Sequence, residues 1–425
     1  MGRSINRRTL LQLGGAAAAM TALPAWAQEQ RQISMMWWGG QNRMERTLKA
    51  IDEFVATQPG LDVQAESLGS TADYFVSLTT KIAGGGAPDI MQLGYSQIAE
   101  YAQRGVLEPL DDYVGNELDI SDWPASSVDS LRVDGKLYGI NLGNNTTTMY
   151  YDKDAYAAAG FADIAIDSTW DQWFDMAEAV TKAGDGSFFG MSDGSGNALV
   201  FENYVRQKGF QLYDGQAVGV GQEVVTEWFD MWAAARERGA IPPADVAALD
   251  IESIAENLLI QGRAGTNFGH SNQVVALQSA TPKPLGMAMY PQGAGDTMGQ
   301  FIRPSQHLSI WSGSQHKSDA VSLANFLVMN PTGVKILGVE RGVPSSPSMQ
   351  AILAPELDDI TRQSLDFVAA VTPVATPIPP PPPRGASEVE TKFRELSQQV
   401  SFGQIDTTEA GRIYVEDSNA ILARA

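Results

Sequence analysis

Cysteine is absent from the 425-residue chain, which excludes disulfides, thiol catalysis, cysteine-based zinc sites and a lipid-bearing cysteine. Histidine is scarce. His270, His307 and His316 are scattered, without the paired spacing that holds zinc, so no metal and no cofactor are expected. Positive charge is the minority, with 29 Lys and Arg against 50 Asp and Glu. That balance makes nucleic acid and anionic lipid poor partners, since both attract basic surfaces. Beyond residue 27 no apolar run reaches the roughly 18 residues that suggest a membrane span.

What is present begins with an export pattern. Arg3, Arg7 and Arg8 precede an apolar stretch from Leu10 to Leu23, and Ala25-Trp26-Ala27 supplies an A-x-A cleavage site. Residues 6 to 11, NRRTLL, also have the form of a twin-arginine signal, an address read by a receptor rather than an anchor. Losing residues 1–27 removes three arginines and leaves 26 basic against 50 acidic residues, a formal charge of −24. A soluble, monomeric, periplasmic protein is expected. The remainder is globular in composition, 44% hydrophobic and 19% charged, and its length predicts two lobes with separate cores.

Along the mature chain, Ile33 to Trp38 has strand length, and Met44, Leu48, Ile51 and Val55 follow at helical spacing until Pro59-Gly60. Leu61 to Ala65, a helix from Tyr74 to Ala83, and Asp89 to Leu93 complete a β-α-β-α-β order, which predicts a doubly wound, mainly parallel sheet. Gly139 to Tyr151, GINLGNNTTTMYY, reads as an extended crossover. Trp170 to Ala183, Val224 to Arg238 and Ala320 to Met329 read as helices, Phe188 to Met191 and Ala264 to Phe268 as strands, and Pro377 to Pro383 as an extended polyproline segment.

Catalytic patterns fare poorly. Gly190 to Gly194, GMSDG, matches G-x-S-x-G but continues as a glycine-rich loop instead of entering a helix. Gly84-Gly85-Gly86 lacks the G-K-[ST] of a phosphate loop, and Gly293 to Gly299 has the wrong spacing for a dinucleotide turn. No carboxylate pair can be singled out. What remains are aromatic and neutral polar groups at strand ends, where doubly wound folds place ligands. Trp38, Gln41 and Asn42 follow the first strand, Tyr95, Ser96 and Gln97 the third, and His270 to Asn272 a later one. Aromatic faces beside amides and hydroxyls suit a sugar. Trp38, next to the glycine turn, is the ligand-facing member of its pair and Trp37 the core member. Trp170, Trp228 and Trp232 lie on helix faces and read as packing.

With these residues in view the chain resembles the extracellular solute-binding proteins of ATP-driven carbohydrate importers, the family that includes maltodextrin-binding proteins. The cues are AGGGAPDIMQLGYSQIAEYAQRGVLEPLDDYV from Ala83, GKLYGINLGNNTTTMYYDKDAYAAAGF from Gly135, STWDQWFDMAEAV from Ser168, and SQHKSDAVSLANFLVMNPTGVKILGVERGVPSS from Ser314. MMWWGG, from Met35, further resembles members that bind plant-derived oligosaccharides, including pectic uronates.

The resemblance implies a two-lobed α/β fold with the ligand cleft between the lobes, a first lobe from 28–141 and 293–329 and a second from 142–292 and 330–425. Gly139 to Thr146 and Tyr290 to Gly293 would be crossovers, with a third connection near Asn330. It implies a non-enzymatic protein that closes on a sugar or oligosaccharide and delivers it to inner-membrane permease subunits. Carried over residue by residue, it places Gln41, Asn42, Asp73, Tyr95, Ser96 and Asn145 in the cleft, with Asn197 and His270 at equivalent cleft positions on the second lobe. Arg341 and Arg384 could reach it from the late segment. If Arg43, Arg341 or Arg384 faces the cleft, a carboxylated sugar is expected, because guanidinium pairs carboxylate in a bidentate way; otherwise a neutral sugar fits. The competing readings are an exported polysaccharide-active enzyme, which needs an acid and base pair, and a binder of another solute such as a polyamine or glycerol phosphate.

Overall fold

The computed structural model describes residues 30–425 apart from residues 185, 251–253, 255 and 256; the export leader read at 1–27 lies outside the described residues. Strand β1 (Arg31–Trp38), helix α1 (Gln41–Ala56), strand β2 (Leu61–Leu68), helix α2 (Thr71–Ala83), strand β3 (Ile90–Leu93) and helix α3 (Tyr95–Gln103) open the first lobe. β1 lies parallel between β2 and β3, with Arg31 opposite Leu61 and Met35 opposite Ile90. Local chemistry sets the joints. Gly60 adopts φ +80° in the turn into β2, a conformation that costs glycine little. Ser70 accepts the Asp73 N–H and so caps α2.

The centre of the molecule is strand β4 (Ile140–Asp152), 13 residues long and buried at every position. Its Thr146-Thr147-Thr148 run is β-branched and favours the extended state. Strands β5 (Thr266–His270) and β6 (Leu285–Ala288) pair antiparallel with the second half of β4, and β7 (Ile302–Ile310) with the first half. The sheet therefore runs β6-β4-β7-β3-β1-β2, with β5 also on β4. β4 thus belongs to both lobes.

Two connections fall later in the chain than expected. Tyr290 sits in the second core, and the loop after it is held on the second lobe, where Gln207 Oε1 accepts the Ala294 N–H and Thr297 donates to Arg206 O. The crossing is made by β7, which pairs with both β3 and β4. The third connection lies nearer Val343 than Asn330. Helix Pro331–Leu337 still packs on α1, whereas Val343 exchanges both backbone hydrogen bonds with Asn144, at 2.6 and 2.9 Å. Glycine permits that approach, since a Cβ on Gly143 would meet the Gly342 carbonyl carbon at 2.7 Å.

The two cores are distinct. Trp37, Tyr74, Leu78, Ile90, Leu308 and Leu323 belong to the first, whereas Trp170, Trp173, Phe201, Trp228, Trp232 and Phe393 belong to the second. Trp170 meets Trp228 and Trp232 edge to face, so these tryptophans are packing elements. Phe188 to Met191 forms an isolated bridge, Phe189 to Ala264, where a strand was expected. The segment 377–383 has neither helix nor strand. Arg206 ties its start to the second lobe by donating to Thr376 Oγ1 and Pro377 O at 2.7 and 2.6 Å.

Candidate functional site

A buried strand usually carries apolar residues on both faces, but β4 carries Asn141, Asn144, Asn145 and three threonines. Buried polar groups need partners, and most of these have them. Asn141 donates to Asn144 Oδ1, and Asn144 to Ser127 and Ser345 hydroxyls. Thr146 Oγ1 donates to Phe301 O at 2.9 Å and accepts from Gln300 Nε2 at 2.7 Å. Two groups on the other face do not. Asn145 Oδ1 and Thr147 Oγ1 are buried without a partner, in side chains 7% and 2% exposed.

Register brings two further residues to that face. Asn145 stands opposite Arg303 on β7, and Thr147 opposite His270 on β5. Directly paired residues project their side chains to the same side, as do residues two apart on one strand. His270 Nδ1 is likewise buried without a partner. Burial, and after it the Arg303 charge, lowers the His270 imidazole to about 4, so it is neutral at pH 7, with one nitrogen to donate and one to accept.

Arg303 is half-buried, and its side chain makes no hydrogen bond or ion pair among the described residues. Burial holds its guanidinium below the usual value, opposed by the nearby Glu202 and Tyr95. Glu202 projects from helix α4 (Ala198–Gln207). Burial raises its carboxyl, Arg206 and then Arg303 pull it back, and Glu390 adds to the rise. Tyr95, at the start of α3, donates to Pro379 O at 3.1 Å and so joins the first lobe to the proline segment. Burial raises its hydroxyl and Arg303 opposes that rise.

Of the residues expected at a cleft, the structure thus gathers Tyr95, Asn145 and His270 around Arg303. Asn197 stands at the start of α4, where its side chain caps the Leu199 and Val200 N–H groups. Trp38, half-buried, packs on Tyr74 and Phe75, while Trp37 is fully buried. Gln41 donates to Glu45, Asn42 accepts from Arg46, and Asp73 and Ser96 are exposed at helix starts.

The three arginines flagged in the sequence differ in their surroundings. Arg341 is 4% exposed inside the first lobe and donates to Gln92 Oε1 and Thr47 Oγ1 at 3.0 and 2.8 Å. Arg43 pairs with Glu340 at 2.8 Å and bonds Trp38 O. Arg384 is exposed after the prolines. Arg303, Thr147 and Glu202 were missed. The sequence signal for Arg303 is a lone cation in the β-strand sequence FIRPSQHLSI, whose place beside β4 no local pattern encodes. Ser192 of the GMSDG loop is 2% exposed, with its hydroxyl 3.2 Å from that of Thr266.

Two α/β lobes joined by shared strands, with unpaired polar groups at the junction, define a bilobal ligand-capture protein. The chain belongs to the bacterial extracellular solute-binding protein family, whose model matches residues 40–331. A structure described as an extracellular solute-binding protein family 1 member, from Alicyclobacillus acidocaldarius subsp. acidocaldarius DSM 446, is 31% identical, covers 93% of this chain and 99% of its own, and superimposes with TM-score 0.84. A putative binding protein of Brucella abortus (strain 2308) is 25% identical over 299 residues, 66% of this chain and 70% of its own. The galactooligosaccharide-binding protein of Bacillus subtilis (strain 168) is 22% identical over 335 residues, 77% and 75% of the two chains.

Proposed function

We propose that this chain is the periplasmic capture component of an ATP-driven importer, which takes a sugar or oligosaccharide onto the β4 face and hands it to a membrane permease. The observation that carries the reading is the row of unpaired polar atoms there, Asn145 Oδ1, Thr147 Oγ1 and His270 Nδ1. Donors and acceptors left without protein partners match the hydroxyls of a sugar. Support from relatives is of the same kind: similar chains are named as binding galactooligosaccharide and, in Rhizobium radiobacter, lactose. Trp38, Gln41, Asn42, Asp73 and Ser96 would extend the site along the first lobe.

Closure would flex the three shared segments, β4, β7 and the pairing of Asn144 with Val343. A sugar touching both lobes favours the closed form only by its difference in affinity between the two states. The export leader would deliver the protein to the periplasm as a soluble monomer. The test is a thermal-shift screen of the mature protein against neutral oligosaccharides, oligouronates and polyamines, because a ligand that binds only the folded state raises its melting temperature. A rise with one sugar class supports the reading. No rise with any sugar, a rise with polyamines alone, or turnover of a glycan would overturn it.

A further inference from the structure

Arg303 gives the proposed site a charge that sugar hydroxyls alone do not call for. It faces the same side of the sheet as Asn145, Thr147 and His270, and it has no carboxylate within ion-pair distance among the described residues. Two other half-buried arginines do find one, Arg43 with Glu340 and Arg236 with Asp193, whereas Arg362 has only the Leu357 carbonyl. A guanidinium kept unpaired in a strongly acidic chain is costly unless something binds it. Glu202 is the first charge acting on Arg303, but the two form no ion pair, and Arg206 acts on Glu202 more strongly than Arg303 does. Arg206 is itself anchored on neutral acceptors, Gly299 O, Gln211, Thr376 and Pro377 O.

We infer that Arg303 selects a sugar bearing a carboxylate, gripping it in a bidentate pair while Asn145, Thr147 and His270 take the ring hydroxyls. The inference rests on the sugar-capture reading and adds the charge of the ligand to it. A guanidinium fork matches the two oxygens of a carboxylate. A single negative charge also fits better than a phosphate dianion, because Glu202 acts on Arg303 and repels an anion bound there in proportion to its charge.

Isothermal titration of the mature protein with digalacturonate, its neutral galactose disaccharide counterpart and galactose 1-phosphate tests this. The expected result is tighter binding of digalacturonate than of either other probe, weakening as salt rises. Arg303→Gln should cost that uronate about tenfold to a hundredfold in affinity and raise the ligand-free melting temperature, and Arg303→Lys should fall between in affinity. Unchanged uronate affinity in Arg303→Gln, or a preference for the neutral or phosphorylated sugar, overturns the inference while sugar capture stands. If none of the three binds and no sugar raises the melting temperature, the capture reading itself fails.

Discussion

Thr146 and Thr147 are neighbours on β4, both buried, yet their hydroxyls have opposite circumstances, and the same isosteric change should act on them with opposite sign. Valine keeps the shape and the β-branch of threonine and removes only the hydroxyl. In Thr147→Val a buried oxygen without a partner disappears. Relief of that desolvation is worth about 1–2 kcal/mol, so the ligand-free protein should become more stable. Thr146→Val loses the bonds to Phe301 O and from Gln300 Nε2, leaving groups unpaired in the interior. Its cost is about 1–3 kcal/mol. For a cooperative unit of lobe size each kcal/mol is about 2–4 °C of melting temperature, so the two variants should separate by several degrees with wild type between them. Sugar affinity should move the other way for Thr147→Val, falling about tenfold, because a site built around a hydroxyl loses that hydrogen bond with the ligand. Calorimetry of the ligand-free proteins reads the first effect and titration the second. Destabilisation by Thr147→Val equal to that of Thr146→Val would refute the reasoning, since it would mean that the Thr147 hydroxyl is already bonded in the free protein.

Other outcomes follow from the same geometry. Tyr95→Phe removes the bond to Pro379 O that links the lobes, and at about 1 kcal/mol for one neutral hydrogen bond it should weaken sugar binding about fivefold in titration, with little change in the ligand-free melting temperature. Arg341→Ala strips a buried guanidinium from Gln92 and Thr47 and should destabilise by about 3–5 kcal/mol in denaturant unfolding, whereas Arg384→Ala should change neither stability nor binding measurably. The native His270 is lowered to about 4 while the unfolded chain titrates near 6.5, so the unfolded state takes up the proton first as pH falls. Stability supplied by the neutral native form is therefore lost between about pH 6.5 and 4, by at most about 3 kcal/mol, and a His270→Asn variant should show a shallower acid decline in its melting temperature.

The β-α-β-α-β opening was legible because apolar periodicity, Pro59-Gly60 and the glycine turns are local signals, and β4 was legible as extended from its threonines and asparagines. The site was only partly so. Asn145 and His270 were in view, but their meeting with Arg303 depends on β7 lying beside β4, a pairing across a long stretch of chain that no local pattern encodes. Arg341 misled for a related reason. From sequence an arginine in VERGV is a surface or cleft cation, and only the fold shows that Gln92 and Thr47 receive it inside the first lobe. Arg303, one cation in a run of strand-forming residues, was the better clue.

The most direct test of the account is a crystal structure with the sugar that most raises the melting temperature. The account predicts sugar oxygens within hydrogen-bond distance of Asn145 Oδ1, Thr147 Oγ1 and His270 Nδ1. A sugar seated elsewhere, with those three atoms still unpaired, would contradict it.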